Sequence, residues 1–73
     1  MSKIVQGVYR HFKGKQYFVL GVAKHSETQE EMVVYVCLYE NENGAFWVRP
    51  LSIFDGFVDV DGKKVKRFVK VEI

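Results

Sequence analysis

Cysteine occurs once in this 73-residue chain, at Cys37, and proline once, at Pro50. A single thiol excludes a disulfide framework, and its place inside the apolar run MVVYVCL (32–38) reads as a small buried hydrophobe whose thiolate is disfavoured. Such cysteine usage suits a reducing compartment. Long apolar runs are missing too: no stretch approaches the 18 or more residues of a membrane span. The opening segment MSKIVQGVYRHFKGK lacks the uninterrupted apolar core and small-residue cleavage site of a secretory leader. A cytoplasmic chain with no membrane partner is therefore expected. Nor does one sign of charge prevail: 11 Lys and Arg against 9 Asp and Glu leave a net charge of +2. That balance permits nucleic acid as a partner without arguing for it.

Metal-ligating residues are equally sparse. His11, His25 and Cys37 stand without a C-x-x-C or H-x-x-x-H pair, while structural zinc draws four ligands, so no metal is expected. The six glycines are scattered singly, which removes any phosphate-cradling loop and, with it, the expectation of a nucleotide cofactor.

What is present is a globular composition, 48% hydrophobic and 15% aromatic. A chain of this length makes one domain, residues 1–73, and folding hides only about 60% of the surface it exposes when unfolded. Residues 4–11 read as a first strand, with Gly7 as a bulge or close-approach point and a turn around Lys13 and Gly14. A two-residue turn sets Arg10 beside Tyr17; a three-residue turn sets Tyr9 and His11 on that face instead. Strands over about 16–24 and 32–40 follow, joined by the polar loop 25–31, and the NENG turn at 41–44 leads to a strand ending at Arg49 before the proline. If the loop is symmetric about Thr28, Tyr17 faces Tyr39 and Gly21 faces Tyr35; the NENG hairpin sets Trp47 opposite Tyr39 and Arg49 opposite Cys37. Residues 50–55 resemble one helical turn with proline at its start and Gly56 past its end. The remainder reads as strand, Asp61-Gly62 turn, strand. The predicted fold is all-β: a small, SH3-like, strongly bent antiparallel sheet or partly open barrel of five or six strands.

Side chains alternate across a strand, so residues 15–50 present two parities. One carries Phe18, Leu20, Val22, Val34, Val36, Leu38, Phe46 and Val48, and is expected to cover the core. The other carries Tyr17, Gly21, His25, Tyr35, Cys37, Tyr39, Trp47 and Arg49, which both stack and hydrogen-bond. That polar-aromatic parity is the predicted site: Tyr17, His25, Tyr35, Tyr39, Trp47 and Arg49, joined by Arg67.

The ordered set GVYRHFKGK from Gly7, VLGVAKHSET from Val19, VVY from Val33, LY at Leu38, WVRP from Trp47 and DGKKVKRF from Asp61 resembles a bacterial family of small domains catalogued as domain of unknown function 1653. The resemblance covers nearly the whole chain. It implies a standalone, compact, cytoplasmic β domain and supplies no activity, cofactor or site residue.

Three function classes compete. A noncatalytic binding module would offer the aromatic parity to a peptide or a small anionic ligand, with Arg49 and Arg67 supplying bidentate guanidinium forks. Single-stranded nucleic acid would stack bases on Tyr17, Tyr35, Tyr39 and Trp47, but interleaved Glu and Asp dilute any single-sign field. A small hydrolase would use the loop containing His25, Ser26, Glu27 and Thr28, although neighbours in one loop seldom hold nucleophile-base geometry. The balance favours the noncatalytic module, as a monomer or weak homodimer.

Overall fold

In the computed structural model, residues 4–39 and 45–71 are described. The chain runs β1 (Gly7–His11), β2 (Gln16–Lys24), β3 (Glu31–Cys37), β4 (Phe46–Pro50), α1 (Leu51–Phe54), β5 (Phe57–Val60), β6 (Lys63–Lys66) and β7 (Phe68–Lys70). Five strands form one antiparallel sheet in the order β4-β3-β2-β1-β7, and β5 pairs with β6 as a separate hairpin. The all-β, partly open expectation holds; no barrel closes among the described residues. The closing segment yields three strands rather than two, because the chain bends at Arg67 and sends β7 back to β1, where His11 faces Phe68 and Tyr9 faces Lys70.

Local signals landed where predicted. Pro50 caps α1 with extended backbone, and the amides of Asp55 and Gly56 close its end on the carbonyls of Leu51 and Ile53. A side chain at Gly56 would sit 3.1 Å from the Ser52 carbonyl oxygen, so glycine is what lets the chain leave the helix there. Asp61 (φ 51°) and Gly62 (φ 80°) adopt the paired left-handed conformation of a tight hairpin turn. The first hairpin takes the three-residue alternative: the His11 amide donates to the Lys15 carbonyl, and Tyr9 lies opposite Tyr17. The NENG turn lies outside the described residues.

The long-range registers differ from expectation. Tyr17 pairs with Cys37 rather than Tyr39, and Gly21 with Val34 rather than Tyr35: the β2–β3 loop closes with Lys24 opposite Glu31, one residue off symmetry about Thr28, and Leu20, bulged out of β2, shifts the register by one more. Trp47 faces Tyr35 and Arg49 faces Val33, each four residues along the chain from the predicted partners Tyr39 and Cys37.

The assignment of faces is reversed. Buried residues are Tyr9, Val19, Val33, Tyr35, Phe54 and Phe68, with Tyr17, Val22, Trp47 and Leu51 packed against them. The predicted core residues Leu20, Leu38, Phe46 and Val48 instead remain 43–71% exposed. Two causes combine. The bulge at Leu20 switches parity within β2, so that Val19 and Val22 face the same side. Beyond that, α1 and Phe68 cover the concave face, and the rings there fill the space that aliphatic side chains would leave empty. Phe54 stacks on Phe68 with centroids 4.0 Å apart and planes 6° apart, while Tyr9, Tyr17 and Tyr35 meet that pair at steep angles.

Candidate functional site

The concave face closes over its centre but not at the end where β2, β3 and β4 emerge from beneath α1. There Tyr17, Tyr35, Tyr39, Trp47 and Arg49 line a cavity of about 190 Å³. Five of the seven predicted site residues thus converge, although the shape is a pocket at the edge of the core and not an open platform. Tyr35 is 3% exposed, and Tyr17, Tyr39 and Trp47 are half-buried. Edge-to-face contacts of Tyr17 with Tyr35 and Tyr39, at 5.2 and 5.5 Å, occupy ring surface that a stacked base would need. The open aromatic platform weighed for single-stranded nucleic acid thus takes the form of a pocket whose rings are partly engaged with one another.

The pocket's hydroxyls, the indole N–H and Arg49 Nε hold one another or a neighbour. The Tyr17 and Tyr39 hydroxyls are 2.8 Å apart, and the Trp47 indole N–H donates to Cys37 Sγ at 2.8 Å. The hydrogen bond with Tyr17, then burial, then the Cys37 thiol push the Tyr39 phenol well above its ordinary pKa, so it stays protonated. Arg49 donates from Nε to the Tyr35 hydroxyl at 3.1 Å, and its guanidinium carbon lies 5.7 Å from the centre of the Phe68 ring. The sheet explains this placement: Arg49 follows Trp47 by two residues on β4, so both point to the concave side.

Arg49 has no carboxylate partner among the described residues, whose ion pair is Lys66 Nζ to Asp55 Oδ1 at 2.6 Å. Arg67 lines no part of the cavity. Its Nε is nonetheless buried without a hydrogen-bond partner among the described residues, and its charge acts on His11 together with that of Arg49. His11 sits edge-on to Phe68 at 4.9 Å, and its Nδ1 accepts from the Lys13 amide. Burial first, then Arg49, Arg67 and Lys13, hold its pKa below the ordinary 6.5, so the imidazole is neutral. Two guanidiniums, neither in an ion pair among the described residues, make this end of the fold positively charged.

His25 is not part of it. Its Nδ1 accepts from the amides of Glu27 and Thr28, and its backbone bonds to Gln29 and Glu30 close the same loop. His25 Nδ1 is thus engaged by its own turn, so the loop weighed for a hydrolase uses this nitrogen to hold its backbone. Cys37 contacts the Trp47 indole and the Tyr39 phenol, neither of them a base. No group of three or more His, Cys, Asp or Glu converges for a metal among the described residues. A larger open groove of about 450 Å³ between the β2–β3 loop and α1 is bordered by Glu30, Glu31 and Asp55, with no ring or guanidinium in its lining.

Sequence reasoning missed Phe68 and His11 as neighbours of the site. The three-residue alternative for the first turn carried the signal for His11, but the β1–β7 pairing that brings Phe68 beneath Arg49 spans most of the chain.

A family model described as "Protein of unknown function (DUF1653)" matches residues 7–70. The fold is similar to the crystal structure of a DUF1653 protein from Bordetella bronchiseptica, with a TM-score of 0.89 and 39% identity over 94% of this chain and 88% of that one. No curated protein matches the chain.

Proposed function

The chain belongs to the DUF1653 family, and we propose that it is a noncatalytic binding module whose edge pocket takes a small anionic group, the carboxylate or phosphate of an otherwise apolar ligand or peptide end. The observation that carries this reading is Arg49: a guanidinium fixed by the Tyr35 hydroxyl and the Phe68 ring, open to a cavity, with no acidic partner among the described residues. A guanidinium left unpaired in a half-buried setting carries a desolvation cost that a bidentate anion offsets, through charge-assisted hydrogen bonds roughly twice as strong as neutral ones. The aromatic wall suits an apolar body attached to that anion. Among the described residues no general base stands beside a nucleophile in the pocket, which supports binding over turnover.

NMR titration with phenylacetate and phenyl phosphate, with phenethylamine as the cationic control, tests the proposal. Saturable shifts are expected at the Trp47 indole N–H and the Arg49 Nε–H for the two anions and not for the amine, and they vanish in Arg49→Met. The His11 imidazole adds a second readout: an anion that screens Arg49 and Arg67 raises its pKa toward 6.5. Equal binding of the amine, or anion shifts that persist in Arg49→Met, would overturn it.

A further inference from the structure

The convex side of the sheet is apolar where a solvent-facing side is ordinarily polar. Val8, Phe18, Val36 and Phe46 form one cross-strand row over β1, β2, β3 and β4, and Val34 beside Val48 forms the next. Leu20 and Leu38 extend the surface. Leu20 is 43% exposed, Leu38 50%, Phe46 71% and Val48 60%. No charged residue interrupts these rows. The β5–β6 hairpin reaches the other end of the same side, where Val60 and Val65 border a cavity of about 310 Å³ with Phe12 and Val69, so the β2–β3–β4 part stays uncovered.

We propose that this face is a homodimer interface, two copies packing sheet on sheet about a two-fold axis through the Phe46 and Val48 region. The area decides for a second copy. Taking about 200 Å² as the surface of a large apolar side chain, the four exposed residues leave about 450 Å² open, and the half-buried Phe18, Val34 and Val36 bring the patch to about 550 Å². Two such patches remove about 1,100 Å² from water before any rim is counted, which passes the roughly 1,000 Å² that a specific interface needs. A two-fold contact joins a surface to itself and so requires self-complementarity. The apolar rows themselves meet that requirement, with exposed Arg10 at their rim on the same face, opposite Gln16, and the chain's net charge of +2 opposes it only weakly. Aligned packing of two twisted sheets, about 10 Å apart, is the standard way for such faces to meet. The edge pocket lies on the opposite side of the sheet and stays open in this arrangement.

Sedimentation equilibrium from about 10 μM to about 1 mM, with isotope-filtered NOE spectra of mixed labelled and unlabelled protein, tests the inference. The mass is expected to rise from 8.5 kDa toward twice that value, with intermolecular NOEs from the Phe46 ring to the Leu20 and Leu38 methyl groups. Phe46→Glu is expected to weaken association by on the order of tenfold or more, as for a central apolar anchor, with its circular dichroism spectrum unchanged because the side chain is mostly exposed. The NOE measurement needs no variant and stands if Phe46→Glu fails to fold. A chain that stays at 8.5 kDa throughout overturns the inference. So do intermolecular NOEs confined to the β4 backbone, which would mean edge pairing, and a Phe46→Glu variant that folds and associates as tightly as the parent.

Discussion

Removing one oxygen, in Tyr35→Phe, separates the two jobs of this residue. The ring is 3% exposed and touches Tyr17, Phe54 and Phe68, so its packing stays intact when the hydroxyl goes. What is lost is the 3.1 Å hydrogen bond from Arg49 Nε. A hydrogen bond to a charged group contributes about 1.5–3 kcal/mol when both partners are sealed. Arg49 is only half-buried and water reaches it, so a stability loss of about 1 kcal/mol is expected. For a domain of this size that lowers Tm by about 4–8 °C. In binding, the guanidinium remains over Phe68 but must be ordered by the ligand, which costs about 0.5–1.5 kcal/mol per side chain. Affinity for phenyl phosphate should therefore fall about two- to tenfold, well short of the loss in Arg49→Met. Urea unfolding and NMR titration of the same sample read both effects. A Tyr35→Phe protein with unchanged Tm and unchanged anion affinity would refute the idea that this hydroxyl positions Arg49.

The stacked centre gives a larger effect: Phe54→Ala, which removes a 1% exposed ring parallel to Phe68, should cost about 3–5 kcal/mol, a large share of the total stability of so small a domain, as a urea midpoint will show. His11 makes stability depend on pH. Its folded pKa lies below the 6.5 of the unfolded chain, so the unfolded state binds more protons between the two values, and stability falls as pH drops through 6.5 until the folded value is passed. Thermal melts between pH 7.5 and 5.5 should show this slope, and His11→Gln should flatten it. Asp55→Asn, which breaks an ion pair whose side chains are 38% and 42% exposed, should cost at most about 0.5–1 kcal/mol, and salt should shrink the difference.

What the sequence made legible was local. A proline before an apolar tetrad with glycine beyond it, an Asp-Gly pair between short β-branched runs, and a polar segment between two strands each act within a few residues, and each took its expected form. The faces were not legible because side-chain parity survives only while no residue is inserted. Leu20 is that insertion: before it the odd positions of β2 point inward, and after it Val22 does. The second difficulty was chemical. Tyrosine and tryptophan are at home both in a core and on a binding surface, and the choice was made by Phe54 and Phe68, which arrive from far along the chain to cover the tyrosine side. The clustering of Tyr17, Tyr35, Tyr39, Trp47 and Arg49 nevertheless came through, since residues sharing a face stay together whichever way that face turns. His25 dropped out because its loop bends back on itself.

The reversal of faces determines how the site can be studied. A 73-residue chain has too little interior to keep its rings for packing and build a separate aromatic pocket elsewhere. The pocket walls are therefore the rim of the core: Tyr17 touches His11, Tyr35 and Phe68 while its hydroxyl meets Tyr39 at the cavity, and Tyr35 spans from Phe54 to Arg49. Alanine substitutions at these positions remove packing and recognition at once, and a lost signal would then report unfolding as readily as lost affinity. Substitutions that keep the ring and delete only the polar atom, Tyr17→Phe or Tyr35→Phe, with Arg49→Met keeping the aliphatic stem, change the chemistry of the pocket while leaving its walls standing. If the pocket binds an anion, this series should grade affinity by how directly each change touches the guanidinium, with Arg49→Met worst, Tyr35→Phe, which frees it, intermediate and Tyr17→Phe nearly silent. If Tyr17→Phe instead proves as damaging as Arg49→Met while the fold is retained, the ligand is reading the paired phenols, and the guanidinium is not the anchor.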